Sequence, residues 1–301
     1  MSPNSPSRLC FTSGLGELRC GDSLQWLTGL PDASVELVVA DPPYGIGKAE
    51  WDTFESRQEY VLWARTWLEQ VSRILTPDGS AYVMGYSEVL ADLKWAAGDL
   101  FAGCRWLVWS YRNRGNLGSD WGRSHESLLH LRKGRRFTMN IDAVRVPYNA
   151  HTRRYPERNQ GSTSHFAGEG EGSSTAKSSW TPHPLGAKPR DVLEIPLLNN
   201  GMAEKTAHPT QKPEELIRRL VAASSKQGDL VVDPFGGSGT TAVVCELLSR
   251  RWMLCEQSDE YCDLAMQRLS AVAEGRHSLE ELNRSEKRMA ANREKVRGAG
   301  T

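Results

Sequence analysis

The sequence predicts an α/β domain built on a doubly wound, mostly parallel sheet. Three observations predict it: short Val-rich apolar runs of the kind that lie buried on both faces of a parallel sheet, helix-period segments between those runs, and a Gly-rich turn that joins one run to a helix. The first run is Glu36 to Ala40, Glu-Leu-Val-Val-Ala, and the same texture returns at 81–84, 106–109, 127–131, 230–232 and 252–255. Between them Tyr60, Trp63, Ala64, Trp67, Leu68, Val71 and Leu75 recur at spacings of three and four, which gives one helix an apolar face; Pro77-Asp78-Gly79 should stop it. Pro213 suits the first turn of a second helix whose Leu216, Ile217, Leu220 and Val221 share a face, with Gly228 just past its end. Two more helices are expected, one from Gly239 to Ser249 and one from Asp259 to Ala273.

The stretch from about 149 to 189 mixes Gly and Ser and has no apolar period, so a long mobile loop is expected there. After His277 the chain is rich in Ala, Arg and Glu with few apolar anchors, as a peripheral, fraying helix would be. No internal repeat is visible.

Composition excludes several classes. With 39% hydrophobic and 25% charged side chains in 301 residues, the chain can bury a large core and is not intrinsically disordered. No apolar run approaches the ~18 residues of a membrane span, and Ser and Pro fill the start where a signal peptide needs an apolar stretch; a cytoplasmic protein with no membrane partner is expected. The six cysteines (10, 20, 104, 245, 255 and 262) form no Cys-x-x-Cys pair, so they read as reduced packing residues with no metal site. Basic and acidic residues balance at 37 each, but residues 105–158 hold 12 basic against 4 acidic side chains. That stretch interleaves Trp106, Trp109, Tyr111, Trp121, Tyr148 and Tyr155, so it could grip phosphates and offer ring faces to unstacked bases; a solvated basic face is the other reading.

Two strand ends carry chemistry. Asp233-Pro234-Phe235-Gly236-Gly237-Ser238-Gly239-Thr240 is a Gly-rich turn between strand and helix, and Glu256 ends the next strand. Such a turn lets backbone approach a nucleoside cofactor, and the later acid can hold ribose hydroxyls. Gly237 to Ala242 also fits the Gly-x-Gly-x-x-Ala dinucleotide fingerprint, so an NAD-binding oxidoreductase is an alternative. At the other strand end stands Asp41-Pro42-Pro43-Tyr44. Its two prolines fix φ and present the Asp41 and Pro42 carbonyls rigidly outward. Rigid acceptors suit an exocyclic base amine, whose delocalised lone pair becomes nucleophilic when its hydrogens are accepted. Asp41 and the Pro42 carbonyl would each take one hydrogen, and Tyr44 would stack on the base.

Together these two motifs resemble the amino-group DNA methyltransferases, and the order, tetrapeptide before glycine loop, is similar to their beta class. The resemblance spans about Gly21 to Leu269. It implies the Rossmann-like fold of class I S-adenosylmethionine methyltransferases with an inserted target-recognition region. The expected organisation is a catalytic half at 1–135, the insertion at 136–195, a cofactor half at 196–275 and a C-terminal helix at 276–301.

The implied reaction is methyl transfer from S-adenosyl-L-methionine to the exocyclic amine of a flipped base in double-stranded DNA. Asp at position 41 favours adenine N6, with cytosine N4 as the alternative. No Pro-Cys dipeptide, which cytosine C5 methylation would need, is present. Asp22, in Gly21-Asp22-Ser-Leu, is similar to the acid that contacts the cofactor adenine. Thr210, Gln211 and Lys212, in His208-Pro-Thr-Gln-Lys-Pro213, match the block lining the cofactor methionine, and Ser124-His-Glu-Ser-Leu-Leu129 resembles the block beside the target base. Arg112, Arg114, Arg123, Arg132, Arg135 and Arg136 are candidates for phosphate or guanine contacts. A homodimer and a cognate restriction endonuclease are the implied protein partners. Other readings are a non-catalytic DNA-binding module, or RNA or protein glutamine as methyl acceptor.

Overall fold

The computed structural model describes residues 7–47, 52–111, 119, 121–156, 158–159 and 179–278. In chain order these residues form β1 (Arg8–Thr12), β2 (Gly16–Cys20), α1 (Ser23–Thr28), β3 (Val35–Ala40), α2 (Arg57–Ile74), β4 (Leu75–Gly85), α3 (Ser87–Ala96), β5 (Gly103–Ser110) and β6 (His125–Arg132). There follow α4 (Ala150–Arg154), β7 (Arg158–Asn159), β8 (Ser179–Trp180), β9 (Val192–Glu194), α5 (Glu214–Ser224), β10 (Leu230–Asp233), α6 (Thr240–Leu247), β11 (Arg251–Glu256) and α7 (Asp259–Ala273). Arg112, Arg114, Trp51, much of the 149–189 stretch and the tail beyond residue 278 lie outside the described residues.

The chain divides into two compact units, one made of residues 1–139 and 191–301, the other of 140–190. The first is a sheet in the order β1-β2-β11-β10-β3-β4-β6-β5-β9. Its centre is parallel: β2 with β11, β11 with β10, β10 with β3, and β3 with β4. Alternation along each strand sends side chains to opposite faces. Leu37 and Val39 join a core with Leu216, Leu220, Val243 and Leu269 of α5, α6 and α7. Val38 and Ala40 join a second core with Trp26, Trp67, Val71 and Leu90 of α1, α2 and α3. Helices on both faces of a mostly parallel sheet are the doubly wound arrangement that the alternating runs predict.

Strand order fixes where a ligand can sit. From β10 the chain proceeds through α6 to β11 on one side, and from β3 it proceeds through α2 to β4 on the other. The carboxyl ends of β10 and β3 therefore flank the switch point at which open α/β sheets form a crevice.

The structure corrects several boundaries. Helix α2 ends at Ile74, and Pro77-Asp78-Gly79 belongs to β4. There the register jumps from Val35 opposite Leu75 to Leu37 opposite Ser80, so the Pro-Gly segment bulges out of the ladder. Helix α6 excludes Gly239 (φ +77) and Ser249 (φ +57), both left-handed. Strands β2 and β9 carry no apolar run of three residues, and β1 has only Leu9-Cys10-Phe11; β2 is Gly-Glu-Leu-Arg-Cys, buried fully only at Leu18 and Cys20.

In the second unit, where a loop is expected, Asn149 caps α4 by accepting the Thr152 amide at 2.8 Å. Val146 and Ala187 form an antiparallel bridge beside a 2.9 Å bond from Arg145 to the Gly186 carbonyl.

Trp252 locks α6 to β11: it is 1% exposed, and its indole N–H donates to Glu246 at 2.7 Å. Trp252→Ala should lower unfolding free energy by about 3–5 kcal/mol in denaturant titration; a loss under about 1 kcal/mol would contradict this packing.

Candidate active site

Asp41 and the glycine loop, almost two hundred residues apart in sequence, line one cavity, together with Asp22, Pro43, Thr210, Gln211, Lys212 and Glu256. The loop is shaped by backbone needs. Gly237 and Gly239 take φ of +51 and +77, and a Cβ on Gly239 would come within 2.7 Å of the Ala265 methyl carbon on α7. Behind the loop Asp233 accepts the Phe235 amide at 2.9 Å and the Thr241 hydroxyl at 2.6 Å. Burial pushes its carboxyl up to about 7 against these two bonds, which favour ionisation. Glu256 accepts the Gly237 amide at 2.7 Å and the Ser258 amide at 2.9 Å, and burial raises its pKa too. Phe235 packs on Trp63 and Trp67, with ring centroids 5.9 and 5.3 Å away, giving the cavity an aromatic wall.

The Asp41–Tyr44 turn is held from three directions. Asp41 Oδ2 accepts from Lys212 Nζ at 2.5 Å, and Oδ1 accepts from the Tyr44 hydroxyl at 2.8 Å. Tyr60 donates to the Pro43 carbonyl at 2.9 Å. Asp52, 1% exposed, accepts the amides of Tyr44 at 2.6 Å and Gly45 at 2.7 Å. Asp52 is thus a buried clamp that shapes the loop.

Lys212, expected beside the cofactor methionine, lines the cavity and also reaches the Asp41 side. Its ammonium lies between Asp41 and Glu126, the latter at 3.7 Å. Burial, the largest influence, pulls its pKa down, but Asp41 and Glu126 outweigh it and hold the group above the usual lysine value. The Tyr44 hydroxyl also reaches Glu126 at 3.3 Å. Burial, reinforced by both carboxylates, drives the Tyr44 pKa well above normal, so this phenol stays protonated. Glu126 is a site residue that the sequence reading passes over, although it sits within the 124–129 block that carries part of the resemblance.

The other predicted residues divide. Asp22 lines the cavity and caps α1 by accepting the Gln25 amide at 2.7 Å. The Gln211 side chain accepts the Thr206 amide at 2.7 Å and donates to the Glu204 carbonyl at 2.6 Å, which makes it a brace for its own segment. Thr240 accepts from Arg268 at 2.8 Å. Arg123 pairs with Glu88 at 2.7 Å and lies 3.9 Å over the Tyr86 ring.

Arg132 ends β6 opposite Ser80, in the middle of β4 and five residues before its carboxyl end at Gly85, and Arg135 and Arg136 follow it. Because β6 runs antiparallel to β4, all three start from the sheet edge away from Asp41, and the structure does not bring them to the site. Trp109 and Tyr111 are each 1% exposed core residues, with the Trp109 indole donating to the Ile195 carbonyl at 2.7 Å, so neither offers a ring face to a base. Trp121 and Tyr155 are exposed.

Acids dominate the cavity lining. Asp22, Asp233 and Glu256 line it beyond the paired Asp41 and Lys212, and burial, the dominant cause, lowers the His208 pKa to about 4, leaving that ring neutral near pH 7.

A family profile described as DNA methylase matches residues 35–267. The chain is similar to the type II methyltransferase M1.MboII of Moraxella bovis, 31% identical over 258 residues that cover 83% of this chain and 93% of that protein. It is similar to the DNA adenine methyltransferase YhdJ of Escherichia coli strain K12, 32% identical over 276 residues, covering 90% and 88%. Two solved structures share its fold. The PvuII DNA methyltransferase (cytosine-N4-specific) has a TM-score of 0.64 at 23% identity, covering 88% of this chain and 90% of that one. The M1.HpyAVI–SAM complex has a TM-score of 0.56 at 18% identity, covering 85% and 99%.

Asp233 makes stability depend on pH in a defined direction. Its folded-state pKa, raised from 3.8 to about 7, means that the folded chain holds the proton more tightly. The associated stability is complete below about pH 4 and is lost as pH rises toward 7. Denaturation of the wild type and Asp233→Asn at several pH values should show the wild type losing ground to the variant between pH 4 and 7; parallel curves would contradict the burial of this carboxyl.

Proposed function

Because this chain belongs to the DNA methylase family whose members modify exocyclic amines, we propose that it methylates N6 of adenine in double-stranded DNA, with S-adenosyl-L-methionine as donor. The observation that carries this reading is the Asp41 carboxylate, fixed by Lys212 inside the cavity that the glycine loop also lines. The cavity acids beyond the Lys212–Asp41 pair, Asp22, Asp233 and Glu256, fit a ligand bearing a sulfonium and an ammonium group. Glu256 and Asp22 would hold its nucleoside end, and the loop from Asp233 to Thr240 would follow its length. When bound, the cofactor supplies an electrophilic methyl carbon on sulfur.

The protein's own groups prepare the nucleophile. Each Asp41 oxygen has one bonded donor, which leaves a lone pair on each for the base amine. With the Pro42 carbonyl as second acceptor, both amine hydrogens are engaged and the nitrogen lone pair is freed for attack. As nitrogen gains its new carbon it must release one proton, and the carboxylate bonded to that hydrogen is the acceptor. Lys212 neutralises Asp41 beforehand and keeps it aimed. The amine of a paired base is out of reach, so the target must leave the stack at a cost of a few kcal/mol.

Asp at position 41 and the similarity to a protein named DNA adenine methyltransferase support adenine. Residues 136–195 are assigned to target recognition, and Arg112, Arg114 and Arg123 to DNA contacts. A homodimer, a cognate restriction endonuclease and a cytoplasmic location complete the proposal; among the described residues no helix is long and apolar enough to cross a membrane.

Incubation with duplex DNA and methyl-labelled cofactor, followed by digestion to nucleosides, should place label on N6-methyladenine. Label on N4-methylcytosine would overturn the base, and label on protein or RNA would overturn the acceptor. Asp41→Asn should lower single-turnover methylation roughly 100- to 1,000-fold while cofactor affinity stays within a few-fold; undiminished methylation would remove Asp41 from the chemistry.

A further inference from the structure

Two cysteines of the first hairpin and a third about 240 residues later in sequence converge beside the segments that line the cavity. Cys10 lies in β1, Cys20 ends β2 and Cys262 is in the first turn of α7. Their Sγ atoms all fall within 4.8 Å of one another, with Cys20 and Cys262 buried and Cys10 half-buried. In the β1–β2 ladder Cys20 pairs with Arg8, and the register slips between Leu9 and Phe11, so Cys10 is the bulged residue two positions from Cys20's partner. Helix α7 then packs over this edge of the sheet, with Cys262, Ala265 and Leu269 in the same core as Leu18 and Cys20. A carboxylate borders the cluster as well. Asp259 Oδ1 accepts from the Cys20 thiol at 3.4 Å and is itself paired with Arg8. All three cysteines are free thiols.

We propose that Cys10, Cys20 and Cys262 form a thiolate site for a thiophilic d10 metal ion of the zinc(II) class, with the Asp259 carboxylate or a water as fourth ligand. Sulfur ligands about 2.3 Å from a tetrahedral zinc stand about 3.8 Å apart. The thiols are thus within about 1 Å of that spacing, a gap that small side-chain rotations close. Soft sulfur ligands select zinc or copper(I) over magnesium and calcium, and half-buried Cys10 gives the ion a way in. Binding releases the thiol protons to solvent and leaves sulfur oxidation states unchanged.

The position gives such an ion a structural consequence. Cys20 precedes Gly21-Asp22, and Cys262 follows Tyr261 and donates to the Glu256 carbonyl at 3.7 Å. Asp22, Glu256 and Tyr261 all line the cavity. A metal here would tie β1, β2 and α7 into one wall behind the ligand, and the inference stands whether or not the methyl acceptor is adenine.

The test uses the full chain, reduced and freed of metal with a chelator, then titrated with zinc(II) against a chromophoric competitor and separately with cobalt(II). One ion per chain is expected, with a thiolate-to-cobalt charge-transfer band and a rise in melting temperature on zinc addition. Cys262→Ser and Cys10→Ser should each weaken zinc binding at least about tenfold and reduce the band's intensity. Cys10→Ser, at the half-buried position, keeps the test valid if Cys262→Ser does not fold. Absence of uptake by the wild-type chain, or uptake that either folded variant leaves unchanged, would overturn the site.

Discussion

The buried ion pair between Lys212 and Asp41 is the contact on which the site depends. It joins the segment that leads into α5 to the turn that leaves β3, with Glu126 of β6 as a third member. Side-chain exposure is 8% for Lys212, 21% for Asp41 and 11% for Glu126, so the group is largely withdrawn from water. Removing such charges from solvent costs several kcal/mol per ion, and only close, well-bonded partners offset that cost. Here one ammonium faces two carboxylates, and the Tyr44 hydroxyl bonds to the acceptor left over. The net effect on stability is small or unfavourable by general experience, which points to positioning as the reason for the arrangement.

Sheet topology delivers these charges to one place. Parallel pairing of β10 with β3 sets Val232 beside Val38, so Asp233 and Asp41 leave their strands at the same edge. Antiparallel β6 pairs Ser127 with Gly85, which brings Glu126 to that edge from the opposite chain direction. The same reversal carries Arg132, Arg135 and Arg136 away from it. A basic stretch that is continuous in sequence is thereby split across the sheet.

What could be read from the sequence follows from how local its physics is. The central strands were legible because burial on both faces demands an unbroken apolar run, and β2, second from the edge between β1 and β11, was not, because only Leu18 and Cys20 are fully buried. The tetrapeptide and the glycine loop were legible because proline rigidity and positive φ are properties of the residues themselves. Glu126 and the meeting of Cys10, Cys20 and Cys262 were hidden, since each depends on which elements become neighbours, and Asp52 was hidden because its role rests on the loop after β3 folding back on itself. Trp109 and Tyr111 misled for the opposite reason: aromatic residues among arginines suggest stacking on bases, whereas alternation in β5 turns Trp109 inward.

A double-mutant cycle between Asp41→Asn and Lys212→Met, read as unfolding free energy in cofactor-free protein, tests the central contact most directly. The account predicts a coupling of at least about 1 kcal/mol, because each single change strands a buried partner that the double change relieves. Effects that add to within about 0.3–0.5 kcal/mol would show the two side chains to be independent and would contradict it.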